Sequence, residues 1–318
     1  MKYGTIPGLD KEVSRIVLGT ASPAFFSGQG SSEILDAAKA AGINTIDTAR
    51  NYGPSEQSIG RWFAERGCRE EMIILSKCGH PDNDRKRVTE KDMRDDFAES
   101  SRLLGTDYID IYLLHRDDPS VPAGTIVEIF NALHAEGKIG VFGGSNWTHE
   151  RIAEANEYAE KHGLHPFSVS SPHYGLARQQ QDPWGGGCVS ITGEENAGAR
   201  EWYEQTGLPV VAYSSLGRGV LSGKLKSADT ERAAEILDPF AIKGYGCADN
   251  YERLARCEAL AEKKNCSVAQ LAMAWIYCQP LNTFAVATMS SEKRIRENIE
   301  ALDITLTDEE CRYLNLEK

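Results

Sequence analysis

The feature that most constrains this chain is an alternation. Short β-branched runs at 15–18, 45–47, 73–76, 109–115, 140–145, 168–171, 210–213 and 284–288 are separated by longer stretches of helical periodicity. Several runs carry apolar residues on both parities, as a strand covered on both faces requires. The helical stretches have recognisable ends. Ile59, Trp62 and Phe63 fall at i, i+3 and i+4, and Gly67 follows where a C-terminal glycine belongs. Thr89-Glu90-Lys91-Asp92 reads as a capping box with a shortened acid, leading into Met93, Phe97 and Leu104 before Gly105. Pro122, Ile126, Ile129, Phe130, Leu133 and Gly137 form the next unit. Eight strands alternating with helices over a continuous composition predict a (β/α)8 barrel, a TIM barrel, as a single domain over 1–318. A doubly wound sheet is the alternative. Residues 1–14 precede the first barrel strand and are expected to form a hairpin closing the barrel bottom. Residues 177–198 are too glycine-rich for regular structure, and so long a loop inside a compact domain is usually functional or mobile.

The bulk numbers narrow the function classes. A formal charge of -12 with no offsetting basic stretch argues against nucleic acid as a partner. No signal-peptide pattern opens the chain, and no run of about 18 apolar residues suits a membrane. A cytoplasmic protein with no membrane partner is expected. The 8 cysteines are scattered, without C-x-x-C pairs or metal-ligand spacing, so reduced thiols and no metal site are expected.

In a (β/α)8 barrel the chemistry sits at the carboxyl ends of the strands. Read in order, those ends present Asp47, Lys77, His115 and Ser145-Asn146, with Tyr52 in the loop after Asp47. Each has an ordinary explanation: a turn-capping acid, a snorkelling lysine, a rim histidine, a packing tyrosine. Together, on successive units, they are harder to dismiss. Buried ions are costly unless paired, so these should pair with one another. The chemistry that wants such a set is proton delivery to a carbonyl oxygen. A phenol titrates near ~10; a neighbouring ammonium is expected to lower that value, and a carboxylate to hold the ammonium in place. Tyr52 is then the acid–base, Lys77 its activator and Asp47 the anchor, while His115 orients the carbonyl or shares the proton. The set lacks an electron source, which implies a hydride carrier.

The segments IVLGTA, IDTARNYG, LSKCG, YIDIYLLHRDDP, EGKIGVFGGSNW, VVAYSSLGRGVLSGK and SSEKRIRENIEAL, in that order, resemble the aldo-keto reductase family over essentially the whole chain. The catalytic tetrad of that family falls on Asp47, Tyr52, Lys77 and His115. The resemblance implies an NADP(H)-dependent oxidoreductase interconverting a carbonyl and an alcohol, with NAD(H) as the alternative cofactor. It implies that Ser145, Asn146 and Ser171 contact the nicotinamide carboxamide and that Tyr174 stacks on the ring. The segment from Tyr213 through Ser214, Leu216 and Gly217 would wrap the pyrophosphate, with Lys224 adding charge. Gly19 and Thr20 complete the cofactor set at the first strand end. Ser290, Arg294, Glu297 and Asn298 would hold the adenosine end. Two positions depart from the family pattern. Ser171 replaces a common glutamine, and Thr288 and Met289 stand where NADPH-selective members often have lysine and serine.

Little chain follows the helix expected after Thr307, so the substrate pocket is expected to be open. Phe25, Phe26, His80, Arg116, Trp147, His173 and Trp184 are its expected lining, suited to a small-molecule carbonyl, sugar-like in particular. The competing readings are a Schiff-base aldolase using Lys77 and a slow nucleotide-binding regulatory subunit of a membrane channel. Physiological substrate and oligomeric state are not legible in the sequence.

Overall fold

The computed structural model describes residues 1–317; Lys318, the last residue of the expected domain, lies outside them. Two short strands, β1 (Tyr3–Gly4) and β2 (Val13–Ser14), pair antiparallel as the expected hairpin. Eight parallel strands then close into a barrel in chain order: β3 (Ile16–Gly19), β4 (Thr45–Asp47), β5 (Ile73–Cys78), β6 (Ile109–Leu114), β7 (Ile139–Ser145), β8 (Val169–Ser171), β9 (Val210–Ala212) and β10 (Thr283–Ala287). β10 pairs with β3 to complete the ring. Each strand lies within one or two residues of its predicted position, and the doubly wound alternative is ruled out by closure.

Period-two alternation divides the strands into two layers. Val17, Ile73, Leu75, Ile111, Leu113, Val141, Val169, Val211 and Phe284 form one inner cluster, and Ile6 and Val13 of the hairpin join it. The hairpin is therefore the floor of the barrel interior. The opposite parity packs outward against the helices in a second, larger cluster. No helix among the described residues is long and apolar enough to cross a membrane.

Helix punctuation follows the sequence. In helix Glu90–Leu104 the Thr89 hydroxyl accepts from Asp92 N at 3.2 Å, and the Asp92 carboxylate accepts from Thr89 N at 3.3 Å. The 177–198 segment is irregular but tied down: the Asp182 carboxylate accepts from Trp184 N and Cys188 N, both at 2.7 Å, and Ser190 bridges to His173. Short helices at Ala233–Ile236 and Pro239–Tyr245, between β9 and β10, are additions that the periodicity does not predict.

One contact tests the helix packing. Gly60 lies inside helix Ser55–Arg66, where propensity alone favours alanine by about 0.5–1 kcal/mol. A Cβ at this position would lie 2.1 Å from the Leu103 carbonyl oxygen of the neighbouring helix. Overpacking of that kind costs about 1–3 kcal/mol and should win. Gly60→Ala is expected to lower the urea midpoint of unfolding; a rise would mean the two helices do not approach this closely.

Candidate active site

The inward parity carries a row of polar residues to the barrel mouth. Lys77 continues the series Ile73, Leu75; His115 continues Ile111, Leu113; Ser145, Ser171 and Tyr213 continue Val141, Val169 and Val211 in the same way. Asp47 shares the parity of Thr45, opposite to Ile46 in the outer cluster. Register sets their heights: Gly19 pairs with Asp47, Asp47 with Leu75, and Lys77 with Leu113.

Asp47 and Lys77 are both almost fully buried, and the ammonium donates to the carboxylate at 2.5 Å and to Thr48 O at 2.9 Å. The Lys77 nitrogen lies 5.1 Å from the centre of the Tyr52 ring. Burial works against the Lys77 ammonium, yet Asp47 and Tyr52 hold its pKa above the ordinary lysine value. Burial pushes the Asp47 carboxyl up, and Lys77 opposes it. The Tyr52 phenol is also pushed up: burial outweighs the pull of Lys77. The expectation of a lowered phenol weighs the ammonium without the desolvation, and the structure reverses it.

His115 is kept neutral, its pKa driven well below the usual range by burial and then by the Lys77 and Arg116 cations. Its Nδ1 is buried without a hydrogen-bond partner among the described residues. The rings of Tyr52, His115 and His80 form a row, with centroids 5.7 Å and then 4.9 Å apart, both edge-to-face. His80 Nδ1 contacts Pro81 O at 2.8 Å, and because a carbonyl only accepts, that nitrogen carries the hydrogen. Thus Asp47, Tyr52, Lys77, His115 and His80 converge on one site.

The expected cofactor residues fall into three groups. At the first strand end, Thr20 Oγ1 donates to Asp47 O at 2.8 Å beside Gly19. Around β7, Asn146 adopts φ 60°, a conformation asparagine tolerates. Its amide nitrogen donates to His115 O at 3.2 Å and Ser145 Oγ at 3.1 Å, and its oxygen accepts from Tyr213 OH at 2.6 Å and Val189 N at 3.2 Å. Ser145 Oγ donates to the Ser171 carbonyl at 3.0 Å. At the far end, exposed Ser290 precedes helix Glu292–Glu300, whose Ser291 cap accepts from Arg294 N. Arg294 pairs with Glu297 at 3.0 Å beside buried Asn298. Ser214, Gly217, Arg218 and Gly219 all have positive φ, bending the segment that also carries half-buried Leu216; Lys224 beyond it is exposed.

Several expected residues are not brought to the mouth. Tyr174 is fully buried and packs on Trp275 at 5.5 Å, so it has no face to offer a nicotinamide ring. Parity explains it: with Val169 inward, residues 170, 172 and 174 turn outward, and Ser170 accordingly meets Tyr203 OH at 2.7 Å. Tyr213, half-buried and hydrogen-bonded to Asn146, is the tyrosine that reaches the site. Phe25 and Trp147 are also fully buried packing residues, Trp147 against Phe167 at 5.1 Å. His173 is fully buried against Ser190 Oγ at 2.8 Å. Phe26 and Trp184 are exposed, at 45% and 39%, and His80 and Arg116 half-buried. Trp184 packs on Tyr213 at 6.0 Å with the Arg218 guanidinium 5.3 Å from its own ring centre. The 177–198 segment thus covers part of a pocket expected to be open.

The sequence reading missed Asp96. This buried carboxylate accepts from Gly79 N at 2.9 Å and pairs with Arg50 at 2.9 Å and Arg87 at 2.5 Å, tying the loop that carries Tyr52 to the one that carries His80. Its signal was available: Asp96 lies in helical phase with Met93, Phe97 and Leu104, an acid on the buried stripe. A groove of about 500 Å³ between the helices Glu90–Leu104 and Ala123–Ala135 is remote from the strand ends, and its Arg94, Glu136 and Lys138 pair among themselves.

Comparison with known proteins gives consistent matches. The model of the Aldo/keto reductase family matches residues 15–315. Aldo-keto reductase str7 of Strobilurus tenacellus is 30% identical over 290 residues, covering 87% of this chain and 78% of that protein. A putative aryl-alcohol dehydrogenase of Schizosaccharomyces pombe is 28% identical over 358 residues, covering 98% and 94%. A thermostable aldo-keto reductase crystallised with the inhibitor epalrestat superposes with a TM-score of 0.72 over 99% of both chains; at 23% identity that likeness concerns the fold alone.

The buried histidines predict an acid-side loss of stability. Burial holds His173 down to about 3, and His115 also stays neutral. Above the unfolded value of ~6.5 neither state is charged and nothing is lost. Below it the unfolded chain takes up a proton that the folded chain refuses, so stability falls by about 1.4 kcal/mol per pH unit for each such histidine. Urea melts between about pH 6 and 4 should show this slope, and His173→Asn should flatten it by one histidine's share. An unchanged slope would mean that His173 is not held neutral.

Proposed function

The chain belongs to the aldo/keto reductase family, and on that footing we propose that it reduces an aldehyde or ketone to the alcohol with Tyr52 as proton donor. Members of the family generally use nicotinamide cofactors. The single observation that carries the reading is the buried Asp47–Lys77 pair beside the Tyr52 ring, with the neutral His115 next to it.

The residues present suit a nicotinamide dinucleotide. The positive-φ bend from Ser214 to Gly219 is a turn of the kind whose N–H groups form anion-binding concavities, and Ser290 precedes a capped helix N-terminus with Arg294 in its first turn. Arg294 supports NADP(H) over NAD(H), since a guanidinium suits a 2′-phosphate. Its present partner Glu297 would have to share it. Tyr213 replaces Tyr174 in our assignment of the ring-stacking residue. When bound, the dinucleotide supplies the hydride that reaches the carbonyl carbon.

The chain's own residues handle the proton. The Tyr52 phenol, protonated at neutral pH as any phenol is and held so by burial, delivers its proton to the carbonyl oxygen as charge develops there. The Lys77 ammonium stabilises the phenolate left behind, and Asp47 keeps that ammonium charged and fixed. His115, neutral, offers its imidazole as a hydrogen-bonding partner to the carbonyl without adding a competing cation. The Asn146 amide braces this arrangement by linking the His115 carbonyl to Tyr213. Hydride and proton together convert carbonyl to alcohol.

A Schiff-base role for Lys77 needs a neutral amine, which the Asp47 contact opposes. A regulatory-subunit role would keep the nucleotide site and lose turnover, so the same assay separates it. Tyr52→Phe is expected to reduce carbonyl turnover by more than tenfold, at least about 1.4 kcal/mol of transition-state stabilisation, while NADPH still quenches tryptophan emission. Retention of more than about a tenth of the activity would exclude Tyr52 as the proton donor. Tighter binding of NADH than NADPH would move the cofactor assignment to NAD(H).

A further inference from the structure

Most cations near the barrel mouth are committed to acids. Lys77 pairs with Asp47, Arg50 and Arg87 with Asp96, Lys86 with Asp118, Arg151 with Asp117, and Arg218 with Asp238. Arg116 stands directly between His115 and Asp117 in sequence, yet both adjoining acids, Asp117 and Asp118, are taken by other cations. Among the described residues Arg116 has neither an ion pair nor a side-chain hydrogen bond. It is half-buried, and its Cδ would lie 3.5 Å from a Cβ at Gly187, on the segment that covers part of the mouth. It follows His115 directly at the end of β6, and its charge acts on Tyr52, His80, His115, Asp182, Cys188 and Tyr213, groups drawn from five different strand-end loops, which places it at the barrel mouth.

A guanidinium cannot shed its proton, and a partly desolvated, unpaired one is unfavourable. In a chain with 47 acids against 35 basic residues an internal partner would be easy to provide. Leaving Arg116 unpaired makes sense if an anion arrives with the ligand. The planar fork matches a carboxylate in bidentate fashion. The dinucleotide's phosphates have their own candidate contacts at Ser214–Gly219 and Arg294. Next to Tyr52, the remaining ligand is the substrate.

We propose that Arg116 binds a carboxylate carried by the substrate, making the preferred substrates oxo acids: aldehydes or ketones, acidic sugars among them, with a carboxylate near the reducible carbonyl. This rests on the reductase reading above and deepens it. The neutral His80, one ring removed from His115, adds no competing charge to the Arg116 site.

The test uses a matched pair, 4-carboxybenzaldehyde and methyl 4-formylbenzoate, with the full-length protein and NADPH or NADH. The acid is expected to be the better substrate by at least tenfold in kcat/KM, the difference residing mainly in KM. Arg116→Gln should bring the ratio to within about twofold of unity, and Arg116→Lys should restore part of it. A wild-type ratio near one, or a preference that survives Arg116→Gln, overturns the carboxylate assignment while the reductase reading stands. If Arg116→Gln does not fold, Arg116→Lys decides the matter, since a lead that survives loss of the planar fork undiminished equally overturns the assignment. No turnover of either aldehyde overturns both.

Discussion

The structure turns on a buried ion pair. Asp47 and Lys77 lie on adjacent strands, with the same inward parity and one step apart in height, so register alone brings the ammonium to 2.5 Å from the carboxylate. Neither ion could remain charged there alone; removing one partner of such a pair typically costs about 3–5 kcal/mol because the other is stranded. A hydrophobic pair of similar volume would hold the strands together as well or better. Its presence at this position therefore calls for a reason beyond stability, and in the proposed function the adjacent phenol supplies one. Burial raises the Tyr52 pKa and Lys77 restrains it, and in the proposed mechanism Lys77 provides the charge that stabilises the phenolate once its proton is lost.

Around that pair, loops are fixed by polar groups whose own valences are filled. Asp96 holds Gly79 N and two guanidiniums, so the loops bearing Tyr52 and His80 are anchored from behind by one carboxylate on a helix. Asn146 makes four side-chain hydrogen bonds that connect the ends of β6 and β7 to Tyr213 and to the 177–198 segment. A site whose supports are satisfied internally holds its geometry before a ligand arrives, which lowers the reorganisation needed in the transition state. Two groups at the mouth outside those scaffolds are then informative: the buried His115 Nδ1 and the half-buried Arg116 guanidinium, neither with a side-chain partner among the described residues.

Most of the architecture is legible in the sequence because it follows from periodicity. Two-residue alternation locates the strands, helical spacing and caps locate the helices, and residues at strand ends converge because a closed barrel places them there. The step that fails is the one from strand end to side-chain direction. Family resemblance makes Tyr174 a ring-stacking residue, although counting from Val169 sends it outward, to Trp275. Trp147 shares the inward parity of Ser145, but the left-handed Asn146 between them breaks the alternation and turns the indole under Gly144. The Tyr52 pKa goes astray for a different reason: a sequence reveals a neighbouring charge more readily than the depth at which both groups are buried. Asp96 is visible as an acid on an apolar stripe, but its partners, Gly79, Arg50 and Arg87, come from separate segments that only the fold joins.

The charge distribution adds a further constraint. A protein of net charge -12 repels anions at long range, yet the ligands implied for this site, a dinucleotide and a carbonyl that becomes an alkoxide, are negative. Long-range steering therefore cannot be what fills the site. The attraction must be local: an ammonium held by Asp47, a helix N-terminus beside Arg294, and a guanidinium at Arg116 without a counter-ion, each partly withdrawn from water, where a charge acts more strongly and is less screened by salt. The neutral histidines fit the same logic, since protonating His80 or His115 would add a cation beside Lys77 and weaken the bias that favours the phenolate only as the proton leaves. On the proposed reading, selectivity at this mouth would come from a few partly desolvated cations in an acidic surround, Lys77 among them set by strand register.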